Sequence, residues 1–344
     1  MPSPQVADVE SLVAPLPGDS PAGDSAVIYA FRDRYNQLTR EENPEDYAPD
    51  DPTRPEKPKR ADWPAVEALA SQTLREQSKD LEVAVRLTEA WAHRYGFSGL
   101  REGLTLLSRL VCECWDRLNP PIEDGDVEVR LDRLANLLDD PVRGTRFPML
   151  VRQLPVVGEG DAGVGHFHWD RARQQADGAL QQRIDEALAA VPADVLKDRT
   201  EDIAQCLDLL QKLESALAEK AGQRAPSFVN LRQALMDARW LAEEFLRRRG
   251  EAPAEAPTAG ETPGIAAASA GVRALGSRAE LYRQLAVIAD QLQQLEPHSP
   301  IPYLVKRAVQ LGTLPFPQMI RELVRDESII AELERQLGIK SDGS

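Results

Sequence analysis

From Gly250 to Gly276 the chain consists mainly of alanine, proline, glycine, glutamate and threonine, with almost no side chain worth burying. A stretch of this kind cannot form part of a packed core. It therefore divides the 344 residues into a large body before it and a small one after it. As a random coil it would span roughly 25–30 Å on average, long enough to let the two move independently. The expected organisation is an N-terminal helical domain (1–145), a middle helical region (146–249), a flexible linker (250–276) and a C-terminal helical domain (277–344).

The last of these has its own pattern. Leu281, Leu285, Ile288, Leu292 and Leu295 recur in steps of four and three, the narrow seam of a paired helix rather than the wide stripe of a helix on a large core. Pro297, Pro300 and Pro302, with His298, Ser299 and Ile301 between them, then predict a sharp corner. A second helix follows with Tyr303, Leu304, Ala308 and Leu311 on one face, ending at Gly312. A third begins after Pro315 and Pro317. So small a helical piece buries too little surface to be comfortable alone, which points to association with further copies of itself.

Composition sets the class. Apolar residues make up 42% but aromatics only 5%, and Ala, Leu, Arg, Glu and Gln dominate, so the expected fold is all-α. A formal charge of −15 weighs against nucleic acid or an anionic membrane as the principal partner. Cys112, Cys114 and Cys206 fall inside helical patterns and read as reduced thiols. The start, MPSPQVADVE, carries no signal-peptide pattern, and no apolar run approaches a membrane span. The expectation is a soluble cytoplasmic protein without membrane insertion.

Along the N-terminal body, a polar lead runs through Leu12 to Leu16 into a Gly/Pro turn at residues 17–24. A first helix is expected from Asp24 or Ser25 to about Glu42, then an exposed proline-rich loop from Asn43 to Arg60. Asp62 and Asp80 cap the next two helices, the second ending at Gly96. Ser98 opens the clearest stripe: Leu100, Leu104, Leu107, Val111, Cys114, Trp115 and Leu118. A shorter helix carries Leu131, Leu134, Leu137 and Leu138, and the short connections predict a bundle of antiparallel neighbours. Residues 147–169 are hard to read: Pro155-Val156-Val157 suits a short extended piece, Gly158 to Gly165 a loop, and helix resumes near Asp170. Ile203, Cys206, Leu210, Leu213 and Leu217 face Phe228, Leu231, Leu235, Ala238, Leu241 and Phe245 across a turn at 222–226, an αα-hairpin.

Candidate chemistry is sparse. His166 and His168 with Asp170 suit a metal only if a third ligand joins them; the alternative is a loop histidine pair leading into a helix. Cys112 and Cys114 point to different sides of one helix and cannot clamp an ion together. Gly18-Asp19-Ser20 has the look of an esterase nucleophile block, but Pro21 follows the serine and no strand precedes it, so a rigid turn also accounts for it. Glu123-Asp124-Gly125-Asp126 lacks the alternating spacing of a calcium loop and suits helix capping. No phosphate loop, dinucleotide fingerprint or zincin helix is present. The reading is non-enzymatic, with no cofactor, and a hydrolase or metal enzyme remains the rival.

Several blocks together resemble the TssA proteins of bacterial type VI secretion systems, whose N-terminal region is the ImpA-related domain. They are Leu16-Pro17-Gly18-Asp19-Ser20-Pro21-Ala22-Gly23-Asp24; Asp62-Trp63; Ser78-Lys79-Asp80-Leu81; and Leu87-Thr88-Glu89-Ala90-Trp91. Gly96-Phe97-Ser98-Gly99-Leu100, Gly103-Leu104, Cys114-Trp115-Asp116-Arg117-Leu118-Asn119-Pro120 and Glu123-Asp124-Gly125-Asp126 complete the set. A second resemblance, to the C-terminal domain of the shorter members, covers residues 277–281, Glu296 to Leu304 and Lys306-Arg307-Ala308.

This resemblance implies an assembly factor. Family members form ring-shaped homo-oligomers through the C-terminal domain, and they engage the baseplate, the Hcp tube, the VgrG spike, the contractile sheath or the membrane complex. The short tail suits a baseplate role better than one at the distal end of the sheath. A monomeric helical adaptor is the other non-enzymatic possibility.

Overall fold

The computed structural model describes residues 2–48, 50–140, 146–175 and 177–250, together with 285, 286, 289, 290, 293 and 300–313. The chain divides into two compact units, Met1–Glu255 and Ala256–Ser344. The first contains α1 (Val9–Val13), α2 (Val27–Thr39), α3 (Trp63–Glu76), α4 (Leu81–Tyr95), α5 (Phe97–Cys114) and α6 (Glu128–Leu138). It continues with α7 (Arg146–Gln153), α8 (His166–Gln174), α9 (Gly178–Ala190), α10 (Ala193–Ala221) and α11 (Val229–Arg248). The fold is all-α; among the described residues, β pairing is limited to isolated bridges.

Helix α4 is the hub of this unit. It packs against α3 and α5, and more lightly against α6, so nearly every turn is buried. Asp80 starts it as the sequence predicts, accepting from the amides of Glu82 (2.7 Å) and Val83 (3.4 Å). Gly96, at φ +64°, ends α4 and leads directly into α5, a left-handed residue that glycine adopts without strain. The two helices then run close together. A Cβ on Gly99 would lie 2.0 Å from the Trp91 carbonyl oxygen, and one on Gly103 would lie 2.2 Å from the Thr88 side chain.

Helix α5 also packs along α10, which packs in turn on α11, so residues 1–145 and 146–249 share one continuous core. A buried ion pair crosses that contact. Arg101 of α5 meets Asp202 of α10, whose Oδ1 also accepts from the Ser3 amide at 3.1 Å. Gly222, at φ +59°, closes the α10–α11 hairpin.

Three local expectations shift. The polar lead contains α1, capped by Asp8, and α2 ends at Thr39 because Glu42 and Lys59 exchange backbone hydrogen bonds of 3.1 and 2.8 Å. The poorly legible stretch holds a real helix, α7, then a Val157–Val164 bridge. Helix then resumes at His166, four residues before Asp170, because the His168 imidazole accepts from the Gly165 amide and caps the turn.

In the second unit, α12 (Ile301–Thr313) is described along its length. Pro302 lies in its first turn, where no amide donor is needed, and the helix runs through Gly312 rather than stopping there. Lys306 reaches Asp290 at 2.6 Å and Gln293 at 2.5 Å, and Gln293 donates to the Tyr303 hydroxyl at 3.2 Å. Residue number falls along one segment as it rises along the other, so the two lie antiparallel. The third helix expected after Pro315 lies outside the described residues, as does the linker from 251 to 276.

The α4–α5 approach is testable. Gly99→Ala is expected to lower the unfolding free energy by about 1–3 kcal/mol through overpacking. Gly178→Ala, in open space at the start of α9, should be neutral or slightly stabilising. Urea titration of the two variants separates the cases.

Candidate functional site

The motif residues of the N-terminal body converge on a backbone junction. The segment 77–80, between α3 and α4, is flanked by the turn at 16–24 on one side and by Asn119 on the other. On the first side the Asp24 amide donates to the Gln77 carbonyl at 3.0 Å, and that of Lys79 to Ala22 at 2.8 Å. On the second, the Asn119 amide donates to Lys79 and that of Leu81 to Asn119, at 2.8 and 3.0 Å. The Asn119 side-chain amide then ties both flanks, donating to the Ala22 carbonyl (3.0 Å) and to Ser78 Oγ (2.9 Å). Gly23 is required here: its φ is +75°, and a Cβ would lie 2.1 Å from the Gln77 oxygen.

Two ionisable groups are buried in the junction. Lys79 is almost fully covered and donates from Nζ to the Leu12 carbonyl at 2.7 Å, fastening α1 in place. Burial draws its pKa down from 10.5 to about 8. Asp80 is pushed up by burial from 3.8 to about 6, against the two amides it caps. Beside them Arg130 of α6 donates to the carbonyls of Pro120 (2.7 Å), Trp115 and Leu118, with its guanidinium over the Trp115 ring. It closes the C-terminal end of α5 and its 3₁₀ extension, and burial lowers its pKa to about 10.

The other motif residues are also placed by packing and turns. Pro17, Gly18, Asp19, Ser20 and Pro21 form the exposed turn, closed by Leu16 N to Pro21 O (3.2 Å) and by the Ser20 hydroxyl donating to Gly23 O (3.2 Å). Trp63 stacks on His93 with centroids 3.9 Å apart, joining the start of α3 to the end of α4. Glu89 accepts from the Tyr35 hydroxyl (2.7 Å) and Arg86 (2.9 Å). Leu81 and Leu100 are core residues, Gly96 and Gly99 serve the α4–α5 turn and crossing, and Asp116 is exposed. Asp124 (φ +51°) and Gly125 (φ +76°) make a turn from which Asp126 accepts the Glu128 amide at 2.9 Å at the start of α6.

The histidine pair lies on α8 and not in a loop. His166 is edge-on to Trp240, and burial lowers the pKa of both His166 and His168. Among the described residues no three of His, Cys, Asp and Glu gather as a metal site. A cleft of about 600 Å³ beside the start of α5 is lined in part by His93, Ser98, Arg199 and Asp202. Its charged groups already have partners: Arg199 donates to the carbonyls of Val156 (3.1 Å) and Gly158 (3.2 Å), and Asp202 holds Arg101.

Of the residues expected to mediate self-association, Leu285, Tyr303 and Leu304 are 43%, 55% and 63% exposed. Ala308 and Pro300 are exposed as well, whereas Pro302 is buried. Leu281, Ile288, Leu292, Leu295, Pro297 and Ser299 lie outside the described residues. No described helix is long and apolar enough to cross a membrane.

Sequence reasoning quoted Asn119 without seeing its part, and it missed Arg130 and the Arg101–Asp202 pair. Arg130 was detectable: it stands one turn before Leu134 on the apolar stripe of α6, an odd position for a charge with no function.

Comparison with known proteins gives a consistent picture. Residues 13–139 match the family described as ImpA, N-terminal, type VI secretion system. The type VI secretion system component TssA1 of Pseudomonas aeruginosa is 31% identical over 97% of this chain and 99% of its own length. A solved N-terminal domain of the TssA component from Burkholderia cenocepacia, which includes the conserved ImpA_N region, superposes with a TM-score of 0.57 at 28% identity. That match covers 71% of this chain and 95% of the other.

The pKa shift of Asp80 has a defined sign. Its folded value lies above the unfolded one, so the folded state binds the extra proton between about pH 4 and 6. This contribution to stability is fully present below the unfolded pKa and is lost as pH rises through 6. Asp80→Asn keeps a capping side chain and removes the titration. The difference in urea midpoint between wild type and Asp80→Asn should therefore change between pH 5 and pH 7, in favour of the variant at pH 7.

Proposed function

The chain belongs to the TssA family of bacterial type VI secretion system components, and from that premise we propose that it is a non-catalytic scaffold that assembles on itself and recruits other parts of the secretion machine. The observation that carries this reading is the state of α12 in a single chain. Tyr303 and Leu304 are more than half exposed, and Leu285 of the same unit is 43% exposed. Large apolar side chains left uncovered in a small unit favour a second copy as their cover.

In this reading the leucine seam from Leu281 to Leu295 pairs two chains, and the proline-rich corner from Pro297 to Pro302 sets the angle to the next pair. A constant angle repeated about an axis closes a ring. Residues 277–344 are the assembling part and 250–276 the tether. Many copies of the first unit then reach several subunits of a partner together, which raises avidity without strong single contacts. The partners are baseplate, Hcp tube, VgrG spike, sheath or membrane-complex proteins, met in the cytoplasm. The N-terminal motif supports a structural role, because its buried charged residues Lys79 and Asp80 are committed to a backbone carbonyl and a helix cap.

Light scattering behind a sizing column tests the proposal. The intact chain should elute as a multiple of its own mass. Leu285→Asp combined with Leu304→Asp should reduce it to single chains with unchanged helical circular dichroism. A wild-type protein that stays monomeric at high concentration would sink the scaffold reading.

A further inference from the structure

The ion pair between α5 and α10 is met from outside by the residues ahead of α1. The Ser3 amide donates to Asp202 Oδ1 at 3.1 Å, and Arg101 Nη2 donates to the Pro4 carbonyl at 3.3 Å. The buried pair thus reads one main-chain donor and one main-chain acceptor of a passing segment. The local sequence suits this. Pro2 and Pro4 carry no amide hydrogen, so Ser3 supplies the one N–H of residues 2–4, and a residue before proline favours extended backbone. Residues 2–8 form no helix; Pro2 and Pro4 are exposed and Ser3 is half-buried. A segment held by two hydrogen bonds and so little burial is displaceable.

The seat is larger than its occupant. Ser3 borders the cleft of about 600 Å³ at the start of α5, whose walls include Phe97, Leu150, Leu154 and Val195. A serine side chain is far too small to match a space of that size. Asp202 also lines the cleft and is 1% exposed, yet its Oδ2 has no hydrogen-bond partner among the described residues. Buried acceptors are ordinarily paired, so the carboxylate has capacity for one donor more than Ser3 supplies.

We propose that the Arg101–Asp202 pair and the cleft beside it bind an extended, proline-flanked polypeptide segment with an apolar side chain where this chain has Ser3, and that residues 2–4 are the resident occupant of that site. The incoming segment repeats the two main-chain hydrogen bonds and places its apolar side chain among Phe97, Leu150 and Leu154. The resident is a built-in competitor. Being on the same chain it is present at high effective concentration, and an outside segment binds only in proportion to the fraction of molecules whose seat is free. The site lies within the first unit and makes no use of the self-association proposed for residues 277–344.

Fluorescence anisotropy tests this with the full chain and two labelled, acetylated peptides, the resident sequence Pro-Ser-Pro-Gln-Val-Ala and the same peptide with leucine in place of serine. The leucine peptide should bind about tenfold more tightly than the serine one. Ser3→Pro removes the resident's amide donor and should tighten peptide binding about tenfold or more over wild type. Ser3→Ala keeps the amide and should match wild type. Adding Asp202→Asn to Ser3→Pro should weaken binding again, because a neutral acceptor replaces a charged one. A leucine peptide methylated on the leucine nitrogen, which lacks the donor for Asp202, should not bind. That comparison leaves the protein untouched and can be read on wild type, so it stands even where a variant is less stable. Equal affinity of wild type and Ser3→Pro would overturn the proposal. So would undiminished binding of the methylated peptide, or a serine peptide that binds as tightly as the leucine one.

Discussion

One short segment, Gln77 to Asp80, holds the first unit together. It exchanges backbone hydrogen bonds with the Ala22–Asp24 turn on one side and with Asn119 on the other, and its lysine fastens α1 through the Leu12 carbonyl. Segments about fifty-five and forty residues away along the chain are thus fixed to one point, from which α4 starts with its Asp80 cap. Burying a lysine and an aspartate is unfavourable unless each is hydrogen-bonded, and here each is bonded to backbone rather than to an opposite charge. Such an arrangement tolerates little: the groups Lys79 and Asp80 hold are main-chain atoms, whose positions depend on the whole local fold.

Much of this was legible in the sequence, for physical reasons. The stripe from Leu100 to Cys114 declares α5 because a helix on a core must repeat its apolar residues at that interval. Asp62 and Asp80 declare helix starts because a short carboxylate satisfies orphan amides. The junction was not legible. Lys79 reads as a surface lysine until the carbonyl of Leu12, sixty-seven positions away, is seen to receive it. Nor do the turn residues reveal that Gly23 is pressed against Gln77, since a close approach between distant segments leaves no local signature.

The two histidines show a second kind of limit. At alternate positions they suit a strand, and the glycines before them suit a loop, yet α8 begins at His166 because the His168 ring itself caps the turn. A side chain that both belongs to a helix and starts it defeats pattern reading. The C-terminal seam is different again. Its period is clear in the sequence, and of its residues the described Leu285, like Tyr303 and Leu304 of α12, is open to solvent.

Helix α10 carries a consequence of its own. Its 29 residues form an uninterrupted rod, about 43 Å long at 1.5 Å per residue, with α5 packed on it and α11 returning alongside. It joins α11 to the core built on α4 and α5 without a break in the helix. The first unit therefore acts as a gauge, in which the surface of α11 and the α4–α5 end of the body keep a constant distance and angle to each other.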